Sequence, residues 1–323
     1  MSGLLIERLA LRIGAASPLR HCSLQVRPGE VVGLVGESGS GKSLTALACL
    51  GLTPPQAQAS GSILIGDTAV LGASEAQLRG IRGKRVAMIF QNPLSALNPF
   101  LKIGQQLLSV VDTHFKAPQA ELLLRVQRAL ERVQLGADFM QRYPHQLSGG
   151  QLQRAMIAMA IACEPEVLIA DEPTTALDVT VQAHIMRLLK ALTEQGMGLL
   201  LISHDLALVS QVAQRVFVMY AGRTVESGAT HELMNSASHP YTAALLKAQP
   251  RLGQLQRRLP VIGGQVLPSS DATPGCVFYA RCRRAESTCA EQLPPTLQLR
   301  PGSQVECHHP ILPTLQGQEL NHV

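Results

Sequence analysis

An α/β fold with a mainly parallel sheet is predicted by three features of this 323-residue chain. Short apolar, β-branched runs alternate with longer amphipathic segments, the pattern of buried parallel strands joined by crossover helices. One such run, residues 30–35, opens into the glycine-rich stretch Gly36-Glu37-Ser38-Gly39-Ser40-Gly41-Lys42-Ser43 and then into residues 44–50, a good helix former. Another, residues 167–170, ends in the carboxylate pair Asp171-Glu172. Hydrophobic residues make up 46% of the chain and charged residues 16%, which suits one large core with an appendage and excludes disorder.

Taken in order, residues 1–90 read as strands broken by Pro/Gly turns such as Arg27-Pro28-Gly29-Glu30 and Ser60-Gly61. Strand, glycine turn, lysine, hydroxyl and helix at 30–50 form the P-loop arrangement. Its glycines let several backbone N–H groups point into one concavity, and the following helix aims its positive end there. Gly36, Glu37, Ser38, Gly39, Ser40, Gly41, Lys42 and Ser43 are therefore the candidate cradle for a nucleoside triphosphate. Lys42 would reach the β/γ-phosphates and the Ser43 hydroxyl Mg²⁺. Gln91 closes the strand at 86–90, and residues from about 92 to 150 have helical spacing, as in 121–126 and 129–133. Ser148 reads as the N-cap of a helix over 152–160, and Gly149 and Gly150, ahead of Gln151, leave backbone N–H groups free there, a second anion site. Strand–helix alternation resumes over 151–232. Asp171 would lie near the metal and Glu172 would act as general base. A strand at 200–204 ends in His204, and residues 216–226 read as a hairpin.

At these residues the chain resembles the ATP-binding subunits of ABC transporters. Besides the P-loop at 36–43, Gln91 matches the Q-loop glutamine, residues 147–151 the LSGGQ signature, Pro173-Thr174-Thr175-Ala176-Leu177-Asp178 the D-loop, and His204 the switch histidine. The resemblance implies an ABC ATPase core at 1–91 and 151–250, with an antiparallel β subdomain. It also implies an inserted helical subdomain at 92–150 and a small Cys-rich domain at 251–323. It implies ATP held between the P-loop of one subunit and the signature serine (here Ser148) of another, with Ser43, Gln91 and Asp171 around Mg²⁺, Glu172, His204 and Gln91 as the catalytic set, and Asp178 at the dimer contact. The family commonly stacks adenine on an aromatic residue, yet residues 1–89 contain no Phe, Tyr or Trp. Ile13 or His21 would have to serve instead.

Two further pieces resemble the peptide and nickel importers of this family: residues 91–99, an extended Q-loop, and residues 239–246. The tail resembles the C-terminal domain of oligopeptide/dipeptide importer ATPases. Four of the seven cysteines stand there, Cys276, Cys282, Cys289 and Cys307, whereas Cys22, Cys49 and Cys163 read as small buried residues. Clustered thiols in a cytoplasmic protein point to metal rather than disulfides. The resemblance implies a [4Fe-4S] cluster. Zinc and unliganded thiols stay open, although the short Cys pairs of zinc sites are absent. Arg281, Arg283 and Arg284 would offset the charge of such a cluster, with His308 and His309 as bystanders.

No apolar run approaches the roughly 20 residues that span a bilayer, and the N-terminus has no signal-peptide pattern. A net charge of +5 without basic runs carrying interleaved aromatics does not read as a nucleic-acid footprint. The expectation is an ATPase subunit at the cytoplasmic face of the inner membrane, energising uptake of di- or oligopeptides. Its implied partners are a paralogous ATPase subunit, two permeases through which alone it meets the membrane, and an external binding protein. A nickel or metal-chelate importer is the close alternative. A soluble non-transport ABC ATPase is the distant one.

Overall fold

A computed structural model describes residues 3–175, 177–248, 262–266 and 274–312. In chain order its elements are β1 (Leu4–Ile13), β2 (Ala16–Val26), β3 (Val31–Val35), α1 (Lys42–Cys49), β4 (Ala57–Ile65), β5 (Thr68–Ala69), α2 (Glu75–Ile81), β6 (Val86–Ile89), α3 (Pro93–Ala96), α4 (Ile103–His114), α5 (Gln119–Arg132), α6 (Gly149–Ile161), β7 (Val167–Asp171), α7 (Val179–Thr193), β8 (Gly198–Ser203), α8 (Leu206–Ser210), β9 (Arg215–Tyr220), β10 (Arg223–Ala229), α9 (Thr230–Asn235), α10 (Pro240–Lys247), α11 (Ser287–Glu291), β11 (Thr296–Arg300) and β12 (Ser303–Glu306).

The strands run β5-β4-β1-β2-β10-β9-β3-β8-β7-β6 across the sheet. From β9 to β6 every pairing is parallel, and from β5 to β2 every pairing is antiparallel. The expected mainly parallel core with an antiparallel β subdomain is the architecture found. Its centre is explained by burial on both faces. β3, β7 and β8 are buried at every position, which is why they read as unbroken apolar runs. Alternate residues feed two cores. Val31 and Val35, Leu168 and Ala170, and Leu199 and Leu201 join a core shared with α4, α5, α6 and α7. Val32 and Leu34, Val167 and Ile169, and Leu200 and Ile202 face the other way, into a core closed by α1 and by β1, β2 and β4.

The hairpin expected over 216–226 is β9–β10, longer by a few residues. Its two-residue turn, Ala221-Gly222, has φ of 44° and 81°, the doubly positive geometry that suits the twist of paired strands. Among the described residues, no helix is long and apolar enough to cross a membrane.

The sequence did not reveal how the tail joins this sheet. β11 and β12 form a hairpin, and β12 pairs antiparallel with β10 where β2 has diverged from it. Glu306 at the end of β12 is 5% exposed, and its carboxylate lies 3.1 Å from His21 Nδ1 on β2 and 2.9 Å from Arg223 Nε on β10. Burial by itself would raise the Glu306 pKa; hydrogen bonds from His21 and Arg223 and the charge of Arg223 outweigh it and hold the carboxyl below its ordinary value of 4.5. His21, one of the two residues expected at the adenine, is thus tied to the tail, while Ile13 sits at the β1–β2 turn paired with Ala16.

Glu306→Ala should therefore destabilise the protein by about 3 kcal/mol at neutral pH, because Arg223 is left partly buried beside an apolar methyl. This carboxyl titrates lower in the folded than in the unfolded chain. Its contribution is complete above about 4.5 and disappears as the pH falls through the folded value. Denaturant titrations at pH 7 and pH 4 should show the gap between wild type and variant narrowing at the lower pH.

Candidate active site

β3 delivers the chain into the P-loop at the C-terminal edge of the parallel strands. Gly36 is required by close approach, since a Cβ there would lie 2.1 Å from the Met219 carbonyl oxygen on β9. Gly41, with φ of 104°, takes a left-handed conformation against Leu19, and α1 begins at the next residue. Lys42 is 6% exposed. Its Nζ donates to the carbonyl oxygens of Gly36 and Glu37, both at 2.9 Å. Burial lowers its pKa, opposed by the charges of Glu172, Asp171 and Glu37.

β7 ends on Asp171 beside this loop, where the Ser43 hydroxyl favours the charged form of its carboxylate. Asp171 is 6% exposed and its Oδ1 has no hydrogen-bond partner. Burial and the neighbouring Glu172 charge raise its pKa, with Ser43 and Lys42 opposing. A buried, partly unpartnered carboxylate next to a hydroxyl is a donor set that fits a hard cation such as Mg²⁺, which would reverse that penalty.

Glu172 follows in the left-handed region, at φ +47°. A non-glycine residue there costs on the order of 1–2 kcal/mol. The turn is held by its N–H, which donates to the Ile202 carbonyl oxygen on β8 at 2.9 Å. Three side chains surround its carboxylate: Gln91 Nε2 at 2.9 Å, Thr175 Oγ1 at 3.0 Å and His204 Nδ1 at 3.0 Å. Burial would raise the carboxyl; hydrogen bonds from His204 and Thr175 and the charges of His204 and Lys42 hold it below the ordinary range. In the sequence Thr175 stands only as part of the D-loop match at 173–178, with no role of its own. Its only signal was a hydroxyl three residues beyond the carboxylate, within a turn.

Gln91, Asp171, Glu172 and His204 thus meet the P-loop in one place. The signature residues do not join them. Ser148 caps α6, accepting from Gln151 N at 3.4 Å, while Gln151 Oε1 accepts from Ser148 N at 3.0 Å. Asp178 caps α7 by accepting from Val181 N at 2.9 Å. These two helix starts pack together, since a Cβ on Gly150 would come 2.9 Å from Val181. Among the described residues, no hydrogen bond links 148–151 to 36–43.

Cys22, Cys49 and Cys163 are buried in the cores. Cys276, Cys282, Cys289 and Cys307 line one small cavity with His239, Arg284, His308 and His309. Cys276 N donates to the Cys289 carbonyl oxygen at 2.8 Å, bringing two of the four together through the backbone. Burial raises the thiols of Cys276 and Cys282, and pushes that of Cys307 up to about 11. Among the described residues, no group of three or more His, Cys, Asp or Glu is placed to hold a metal ion. Arg281 does not face the thiols, contrary to expectation. Its fork grips Glu37 of the P-loop, at 2.8 and 3.2 Å. Arg284 is the arginine that lines the cavity.

Comparison with known proteins agrees with this geometry. Residues 19–175 match the ABC transporter family, and residues 225–289 match the oligopeptide/dipeptide transporter C-terminal region. A dipeptide transport ATP-binding protein of Escherichia coli is 43% identical over 322 residues, covering 96% of this chain and 98% of the relative. A probable peptide ABC transporter ATP-binding protein of Sinorhizobium fredii is 45% identical over 293 residues, covering 88% and 87%. Among solved structures, a dimeric ATP-binding cassette in a post-hydrolysis state with ADP and Pi is similar at a TM-score of 0.62 and 27% identity, over 70% of this chain and 98% of that one. The cbiO1 protein of Clostridium perfringens is similar at 0.64 and 29%, over 72% and 90%. With near-complete coverage at that identity, the chain belongs to the ABC transporter ATP-binding proteins that carry the oligopeptide/dipeptide transporter C-terminal region.

Proposed function

We propose that this chain is the ATP-hydrolysing subunit of an importer of di- or oligopeptides. The observation that carries the reading is the convergence of Lys42, Ser43, Asp171, Glu172, Gln91 and His204 at one end of the parallel sheet. The peptide and dipeptide transport names of the relatives support the choice of substrate. The chain divides into an ATPase core at 1–91 and 151–250, a helical signature region at 92–150 and a tail at 251–323. Gly36, Glu37, Ser38, Gly39, Ser40, Gly41, Lys42 and Ser43 form the cradle. Its N–H groups and the positive end of α1 receive the triphosphate. Lys42 leaves its two loop carbonyls for the β/γ-phosphates, which complete the neutralisation its burial demands. Ser43, Asp171 and Gln91 surround Mg²⁺.

Glu172 is the general base. Its pKa is held low and it is ionised at neutral pH, so it can accept a proton from water as that water attacks the γ-phosphorus. His204 and Gln91 orient it. Once ATP binds, either can turn toward the γ-phosphate or the metal. Ser148, Gly149, Gly150 and Gln151 present the start of α6, with the N–H groups of Gly149 and Gly150 outermost, to the nucleotide of a partner ATPase subunit, and Asp178 beside them lies at the same contact. That would explain why this chain brings them to no nucleotide loop of its own. The full assembly adds a paralogous ATPase, two permeases and an external binding protein, with this chain peripheral on the cytoplasmic face of the inner membrane.

The four tail thiols hold a [4Fe-4S] cluster in this reading. Their convergence on one cavity and the match to the C-terminal region support it, and the short Cys pairs usual at zinc sites are absent from 276–307. A cubane spreads its four thiolates wider than one ion does. When bound it supplies an oxidant-sensitive centre; ATP hydrolysis does not pass through it. What the chain contributes is a cavity whose buried thiols give up their protons only to a strong positive charge.

Glu172→Gln should lower kcat for ATP hydrolysis by roughly 10²–10⁴-fold with little change in KM, as expected for loss of a general base. A deletion strain should lose uptake of a labelled dipeptide but keep uptake of labelled nickel, and the wild-type gene but not Glu172→Gln should restore it. Loss of nickel uptake alone would refute the peptide reading. Protein purified without oxygen should contain about four iron and four sulfide per chain, and Cys276→Ser should lose them; protein containing neither would end the cluster reading.

A further inference from the structure

We infer that Arg281 of the cysteine-bearing tail is a positioning residue for the nucleotide loop of its own chain. The inference rests on reading residues 36–43 as the ATP cradle. Arg281 and Glu37 lie 244 residues apart in sequence, yet the guanidinium takes both carboxylate oxygens of Glu37, Nη1 to Oε2 at 2.8 Å and Nη2 to Oε1 at 3.2 Å. The Arg281 side chain is 5% exposed and that of Glu37 25%, so water screens this pair weakly. A paired fork of this kind fixes orientation as well as charge. The remaining N–H groups of Arg281 are also satisfied, Nε by the Gly263 carbonyl oxygen at 2.8 Å and Nη2 by that of Ile262 at 3.0 Å. Its aim therefore cannot drift.

Glu37 is held from a second side. Its backbone N–H donates to the Tyr241 hydroxyl at 2.9 Å. Tyr241, Tyr220 and the tail's Phe278 pack tilted or edge-on with ring centroids 4.7 to 5.3 Å apart, and the Tyr220 hydroxyl also accepts from Arg281 at 3.2 Å. What this grip positions is the Glu37 carbonyl. That oxygen accepts from Lys42 Nζ at 2.9 Å and from Ser40 N at 3.2 Å, so it sets both the curl of the loop and the resting place of its cation. The grip also neutralises a carboxylate that would otherwise repel a bound triphosphate. Arg281 touches neither nucleotide nor water in this scheme; it acts through Glu37. Cys282, which lines the thiol cavity, is the residue next to Arg281.

The test uses the full chain. Equilibrium binding of Mg·ATP, and kcat and KM for hydrolysis, are measured for wild type, Arg281→Ala and Arg281→Lys. Arg281→Ala should weaken binding and raise KM together by about tenfold, the scale of a lost charge-assisted pair, with kcat changed by less than about threefold. Arg281→Lys keeps the charge but not the fork and should recover part of the loss. A folded Arg281→Ala protein with wild-type affinity and KM would overturn the inference. Should that variant not fold, amide hydrogen exchange in Arg281→Lys decides. Faster exchange at 37–41 than in wild type, with α6 unchanged, supports the inference; unchanged exchange at 37–41 overturns it. A wild-type protein that binds no ATP would instead refute the cradle reading itself, so the two failures are distinguishable.

Discussion

The rest of this molecule depends on a lysine ammonium kept out of water without a carboxylate in direct contact. Lys42 rests on two loop carbonyls, and the charges of Asp171, Glu172 and Glu37 oppose the lowering of its pKa by burial without touching it directly. Burying a charge this way is costly unless a ligand completes the shell. The sheet, the glycines and the two carboxylate-bearing strand ends can all be read as the means of holding that incomplete shell open. Asp171, with one oxygen unpartnered, is the complementary case: an anion lacking its cation. Nucleotide and metal would relieve both at once, which gives the loaded site a source of free energy that the empty site lacks.

Around this centre the structure stores strain where it is useful. Glu172 takes a left-handed backbone so that its carboxylate turns away from the strand axis toward Gln91, Thr175 and His204. The N–H to Ile202 and the fully buried β7 and β8 hold it there. A base supported by three donors is ionised, oriented and released only when those donors find better partners.

The sequence made the parallel core legible because its strands are buried on both faces and its motifs are contiguous. Residues 36–43 and Asp171-Glu172 carry their chemistry within a few positions, and the positions of the strands follow from apolar runs and glycine turns. What was not legible depends on contacts between distant positions. Nothing in the local text around Arg281 points to Glu37; next to three cysteines, the arginine reads as a counter-charge for them. His21 looked available for adenine because its partner, Glu306, lies 285 residues away. Thr175 was hidden for the opposite reason, as one hydroxyl among several in a turn. Of the tail expected at 251–323, residues 251–261, 267–273 and 313–323 lie outside the described residues.

The place of β12 in the sheet has a consequence for biogenesis. The strand that fills the gap between β2 and β10 is synthesised after every nucleotide-binding motif, and its Glu306 carboxylate bridges His21 of β2 and Arg223 of β10. During translation the edge of β10 stays open after every nucleotide-binding motif has emerged. An open strand edge is a template for intermolecular pairing. The nascent cassette is therefore most prone to self-association in the interval between completing its nucleotide site and receiving its final strand, and a chaperone that shields sheet edges would matter most then.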